Sequence, residues 1–201
     1  MVDIREQVIE WLKSGREDAA DIVNLPWEVK QVEENLYIAE HPKMPFTLIL
    51  RFTPDFVILE APTTLETAEL PEETKVALYD TLLELNNAVY MMKFTLIEPN
   101  KTVATRADLS LSALGKDEFN DALTAMTVGL LAGVMAIGVE EEFMKNVLAR
   151  IIETLREKIR KGYTYEQLME FLTERVGISA ADAKQVLDEV LKSMSDEFER
   201  S

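Results

Sequence analysis

The stretch MTVGLLAGVMAIGV, residues 126–139, carries no charge and lies in a segment that otherwise reads as helix. A helix that is apolar on every side has to be covered on every side. Its small residues Ala122, Ala125, Gly129, Gly133 and Ala136 recur three or four apart and share one face. Leu123, Met126, Leu130, Val134 and Ile137 make the neighbouring bulky face. Two different surfaces are therefore expected to pack on this helix: a β-sheet against one side, and against the other a close backbone neighbour, either another part of this chain or a second copy of it. The small-residue face is the candidate homodimer face. At 14 residues the uncharged run is shorter than the ~18 to 20 needed to cross a bilayer, and Glu140, Glu141 and Glu142 follow it at once. No membrane partner is expected.

Downstream, the helix that begins at Lys116 reads as one long element, with Lys145, Arg150, Arg156, Lys158, Arg160 and Lys161 toward its end. Cations there complement the helix dipole. The last forty residues change character. Thr164-Tyr165-Glu166-Gln167 fits a capping box, Gly177 a helix stop, and Ser179-Ala180-Ala181-Asp182 a second helix start. This predicts a helical hairpin from Tyr163 to Phe198. Its apolar pairs, such as Phe171 and Leu172 with Leu187 and Leu191, are too few for a strong core, so the hairpin is expected to dock on the main body or on a partner. The expected organisation is a main domain over residues 1–162 and a C-terminal hairpin over 163–201.

Upstream, Ile4, Val8, Trp11 and Leu12 recur at helical spacing before Ser14-Gly15. A first hairpin is predicted from 27–32 and 36–38 around Glu33-Glu34-Asn35, and a second from 46–52 and 56–61 around Thr53-Pro54-Asp55. His41-Pro42-Lys43-Met44-Pro45 reads as the turn between them. Residues 71–87 read as helix, with Pro71 at the first turn and a broad apolar face of Val76, Leu78, Tyr79, Leu82, Leu83 and Leu85. Strands follow at 90–98 and 102–108. Helix, antiparallel strands, helix, hairpin, helix is the order of an α+β fold: an antiparallel sheet packed against helices, with a C-terminal helical hairpin.

The formal net charge is −16, and between Asp55 and Glu84 eight acids face the single base Lys75. Such a surface repels nucleic acid and reads either as a solvated, soluble face or as a site that attracts a basic partner. Glu66, Glu69, Glu72 and Glu73 form the candidate acidic partner face. The chain has no cysteine, which excludes disulfides, thiol nucleophiles and thiolate metal sites. No secretory signal is expected at its start, and the expected location is cytoplasmic.

Catalytic groups are scarce. His41 is the one histidine and reads as a surface turn residue. Glu140, Glu141 and Glu142 cannot all face one way on a helix, so no metal site is expected. Gly129, Gly133 and Gly138 are spaced unlike a phosphate loop. Arg106 and Asp108 alternate along a strand and read as a surface pair. Met91, Met92, Met126 and Met135 read as core filling. No catalytic, cofactor-binding or metal residue is assigned, and a protein or peptide is the expected partner. The alternative is a small-ligand binder or enzyme with scattered carboxylate, Tyr and Arg groups.

The central segment LYDTLLELNNAVYMMKFTLIEPNKTVATRADL, residues 78–109, joins a helix ending in Leu85-Asn86 to a hairpin. With the helix from Lys116, this order resembles the type III secretion chaperone-like fold, and within it the YbjN-type proteins, over about residues 1–140. The resemblance implies a non-enzymatic protein that binds polypeptide segments, commonly as a homodimer.

Overall fold

A computed structural model describes residues 3–199 of the chain. The side chain of Glu142, and that of Phe198 at the expected end of the hairpin, lie outside the described residues, as do residues 1–2 and 200–201. Two compact units meet at Phe143 and Met144.

In the first unit, α1 (Ile4–Lys13) starts where the Asp3 carboxylate accepts the Arg5 N–H at 3.1 Å. A 3-10 turn (Ile22–Asn24) leads to β1 (Glu28–Glu33), β2 (Leu36–Glu40), β3 (Leu48–Phe52) and β4 (Phe56–Glu66). Helix α2 (Glu72–Ala88) precedes β5 (Lys93–Ile97) and β6 (Thr102–Ser110), and α3 (Lys116–Ile137) closes the unit. The six strands form one antiparallel sheet in the order β1-β2-β3-β4-β6-β5. This is the α+β fold that the sequence predicts, with both early hairpins in place.

Alternation along the strands decides which side is covered. Leu50 pairs with Leu59, Leu59 with Ala107, and Thr105 with Phe94. These residues are all buried. The intervening row, Ile49, Glu60, Arg106 and Lys93, points to the other face. Helices α1, α2 and α3 pack on β1, β5 and β6, and the Trp11 and Phe119 rings join α1 to α3 at 5.9 Å.

The long helix is broken. Gly138 takes a left-handed conformation (φ 69°), and its N–H and that of Val139 return to the carbonyls of Met135 and Val134. A new helix, α4 (Glu140–Arg160), follows. By length and composition alone α3 could cross a bilayer, but Phe119, Leu123, Met126 and Leu130 are buried in the unit's core.

The second unit contains α4 from Met144 onward, α5 (Tyr165–Glu170) with its π-helical continuation Phe171–Val176, and α6 (Ala180–Glu199). The predicted capping box is present: Thr164 Oγ1 accepts the Gln167 N–H, and Gln167 Oε1 accepts the Thr164 N–H. Leu155 of α4 is fully buried among Leu168, Leu172 and Leu187, with Ile151, Ile152 and Ile159 packed beside them. The hairpin therefore has a core of its own, supplied by a third helix. The division falls near residue 143 and not at 162, because α4 contributes its apolar face to the C-terminal cluster.

Candidate functional site

From the end of β4 to the first turn of α2 the chain turns four acids outward. Glu66, Glu69, Glu72 and Glu73 are all exposed, and one base approaches them, Lys75, whose Nζ lies 3.9 Å from Glu72 Oε2. Below these acids, Thr67 anchors the turn: its Oγ1 donates to the Lys101 carbonyl at 2.9 Å and lies 2.6 Å from the Tyr79 hydroxyl.

The same surface continues along α2. The broad apolar face expected there is two faces. Leu78 and Leu82 are buried, and Tyr79 and Leu85 half-buried, whereas Val76 is 53% and Leu83 65% exposed. Val76 and Leu83 are seven residues apart and share one side of the helix with Glu73, Asp80 and Asn87, all exposed. Just past the helix end, Tyr90 is 85% exposed. The signal was in the sequence: plotted at 100° per residue, Val76 and Leu83 fall among the acids, opposite Leu78, Leu82 and Leu85.

The small-residue face of α3 is occupied within the chain. A Cβ on Gly129 would meet Met92 Sδ at 2.6 Å, and one on Gly133 would meet the Phe94 ring at 2.7 Å. Ala122 is buried, Ala125 half-buried against the core, and Ala136 exposed. The glycines let β5 come close; they are not open to a second chain. The expected backbone neighbour is replaced by two side chains of the same chain, Met92 and Phe94. The outward side of α3 instead carries Val128, Leu131 and Met135, all exposed. Met92 and Met126 are core residues, while Met91 and Met135 are not.

A small apolar pocket, partly open to solvent, lies among Thr63, Leu65, Leu82, Phe94, Gly133 and Phe143. Among the described residues, no carboxylate, Tyr or Arg group lines it. Arg106 and Asp108 lie on the opposite sheet face, where the predicted surface pair extends into a cluster. Arg106 Nε donates to Asp108 Oδ1 at 2.8 Å, Lys93 donates to Asp108 Oδ2, and Arg106 lies 3.6 Å from Glu60. Burial pushes the Asp108 carboxyl up, but the hydrogen bonds and charges of Lys93 and Arg106 outweigh it and hold the group below its ordinary value.

His41 is not a surface residue. It is 1% exposed, its ring centroid lies 6.0 Å from that of Trp27, its Nδ1 accepts the Lys43 N–H at 3.2 Å, and its Nε2 is 3.5 Å from Glu17 Oε2. The turn prediction held and the burial did not, because the 14–27 segment folds over the ring.

In the second unit the basic cluster is largely engaged locally. Lys158 sits over the Tyr163 and Phe171 rings, Arg160 lies 3.4 Å from Glu153, and Lys161 3.6 Å from Glu157. Among the described residues, no group of three or more His, Cys, Asp or Glu is arranged to hold a metal ion.

An α+β unit with a six-stranded antiparallel sheet, followed by a small helical unit, is the class of protein this geometry defines. The chain belongs to the family described as a domain of unknown function (DUF8183), whose model matches residues 7–137. A second model, HTH_78, also described as a domain of unknown function, matches residues 138–200. The two matches meet at Gly138, where α3 ends. No curated protein matches the chain. Among solved structures, a chain of the heterodimeric ExoU–SpcU complex from the type III secretion system of Pseudomonas aeruginosa is similar at 13% identity, with a TM-score of 0.40. The likeness covers 68% of this chain and 97% of that one.

Proposed function

We propose that the chain is a non-enzymatic protein-binding module that holds a polypeptide segment and works as a homodimer, in the manner of the chaperone-like and YbjN-type proteins its element order resembles. One observation carries the reading: the first unit turns large apolar side chains to solvent on two helices that pack on each other, Val76 and Leu83 of α2, and Val128, Leu131 and Met135 of α3. Large apolar side chains gathered on one exposed helix side are a feature of interaction faces. The acids around α2 favour a basic partner through steering.

The homodimer contact is assigned to the outward side of α3, since the glycine side is filled by Met92 and Phe94. A nucleic-acid partner is not part of the reading. From Met144 onward ten bases stand against eleven acids, and Lys184 of α6 is held by Asp188 at 2.8 Å, which leaves little net attraction for phosphate. The cysteine-free composition is in keeping with a cytoplasmic location.

Sedimentation velocity tests the assembly. A dimer is expected at micromolar concentration, converted to monomer by Leu131→Asp with Met135→Asp. A wild-type chain that stays monomeric at high micromolar concentration removes the homodimer. Cross-linking in extract, followed by mass spectrometry, tests the polypeptide contact: cross-links are expected to map to α2 or α3 peptides.

A further inference from the structure

The outward face of α2 combines two properties that rarely coincide on a solvated helix. Val76 and Leu83 stand two turns apart and more than half exposed, which is the spacing a partner helix meets with its own side chains at i and i+7. Around them the charge has one sign. Glu73 and Asp80 share their face, Glu84 borders it, and Glu72 stands at its start. Lys75, the one base in this helix, is turned toward the half-buried side with Glu72 as its partner.

We infer that this face, Val76 and Leu83 set among Glu73, Asp80 and Glu84, docks a basic amphipathic α-helix of a partner protein. The inference rests on the protein-binding reading above and names the chemistry of what is bound. Apolar side chains of the incoming helix cover Val76 and Leu83, while its lysines or arginines flank them and meet the acids. An acidic or neutral helix would leave those carboxylates crowded by like charge or without a counter-charge, so charge complementarity selects the basic one. The contacts are rim-exposed ion pairs around a small apolar centre. Such an interface associates quickly and depends on salt, with its apolar centre setting the lifetime.

The test uses the full chain and a fluorescent synthetic peptide of about 18 leucines and lysines with leucine at helical spacing, beside a scrambled peptide of the same composition. Binding of the ordered peptide is expected to weaken steadily as salt rises through ~0.15 M. Val76→Ser with Leu83→Ser is expected to weaken it at least about tenfold, mainly by faster dissociation. Glu73→Gln, Asp80→Asn and Glu84→Gln together are expected to slow association and flatten the salt dependence. Leu83→Lys, which keeps a good helix former at an exposed position, is expected to weaken binding as well. Far-UV circular dichroism checks that each variant keeps its fold. Equal binding of the scrambled peptide, no binding of the ordered one, or wild-type binding by the folded α2 variants would overturn the inference. The α3 variants separate it from the broader reading: a chain that still dimerises and cross-links through α3, yet ignores the peptide, keeps the protein-binding function and loses α2 as its site.

Discussion

Asn86 closes the sheet edge at Phe94: its Oδ1 accepts the Phe94 N–H at 2.6 Å, and its Nδ2 donates to the Phe94 carbonyl at 3.4 Å. A carboxamide at the end of α2 stands where the next strand would be, so β5 is blunted as an edge by a side chain. Asn86→Ala is expected to destabilise the first unit by about 1–3 kcal/mol, since a part-buried N–H and carbonyl lose their partner together. A urea midpoint equal to that of the wild type would show that the edge does not need its cap.

Gly133→Leu is expected to unfold the first unit more readily, by on the order of 1–3 kcal/mol or more, because even a Cβ at this position meets the Phe94 ring at 2.7 Å. The damage lies inside one chain. Thermal melting should therefore fall while any dimer of the folded protein is retained. Loss of the dimer with unchanged melting would return the glycine face to the interface.

The Asp108 cluster gives stability a definite dependence on pH. The folded carboxyl titrates below its ordinary value of 3.8, so its contribution is complete above that value and is lost as pH falls through the lowered folded one. Asp108→Asn should lower stability at pH 7 by a modest amount, about 1 kcal/mol or less for a pair this accessible. The gap between variant and wild type should shrink toward pH 3. Denaturant titrations at both pH values check this, and a constant gap would assign the loss to packing.

Residues 144–201 are expected to fold by themselves into a helical unit with a cooperative melt, whereas residues 163–201 should be largely unfolded. The shorter fragment lacks Leu155, Ile151, Ile152 and Ile159, and two short helices without a third surface are marginal in water. Circular dichroism on the two fragments decides it. Equal helicity would show that α4 is dispensable to the hairpin.

Local signals were legible in the sequence. Glu33-Glu34-Asn35 and Thr53-Pro54-Asp55 mark real turns, the Thr164 to Gln167 capping box forms, and Gly177 ends its helix at φ 84°. Each is a choice made by a few neighbouring residues. What sequence reading lost depends on partners far along the chain. The run 126–139 asks for cover on every side; nothing in it says that Met92 and Phe94 supply part of that cover while Val128, Leu131 and Met135 stay exposed. His41 sits in the turn its prolines predict, and it is buried by Trp27 and Glu17 from another segment. The break at Gly138 was readable in principle, since a glycine after an apolar run is a common helix stop; the charged helical pattern resuming at Glu140 concealed it.

The strand order carries a consequence for how the chain reaches its fold. From β1 to β4 each strand pairs with the one before it, and β5 pairs with β6 across a short turn. One ladder differs: β4 with β6, where Glu66 meets Thr102 and Val57 meets Leu109 across the whole of α2 and β5. Two locally formed halves must find each other there, and the closure of that intervening segment is the main entropic toll. The β4–β6 zipper is therefore expected to be the slow step of folding, and truncation of side chains such as Leu59 and Ala107 that meet along it should retard refolding more than it hastens unfolding.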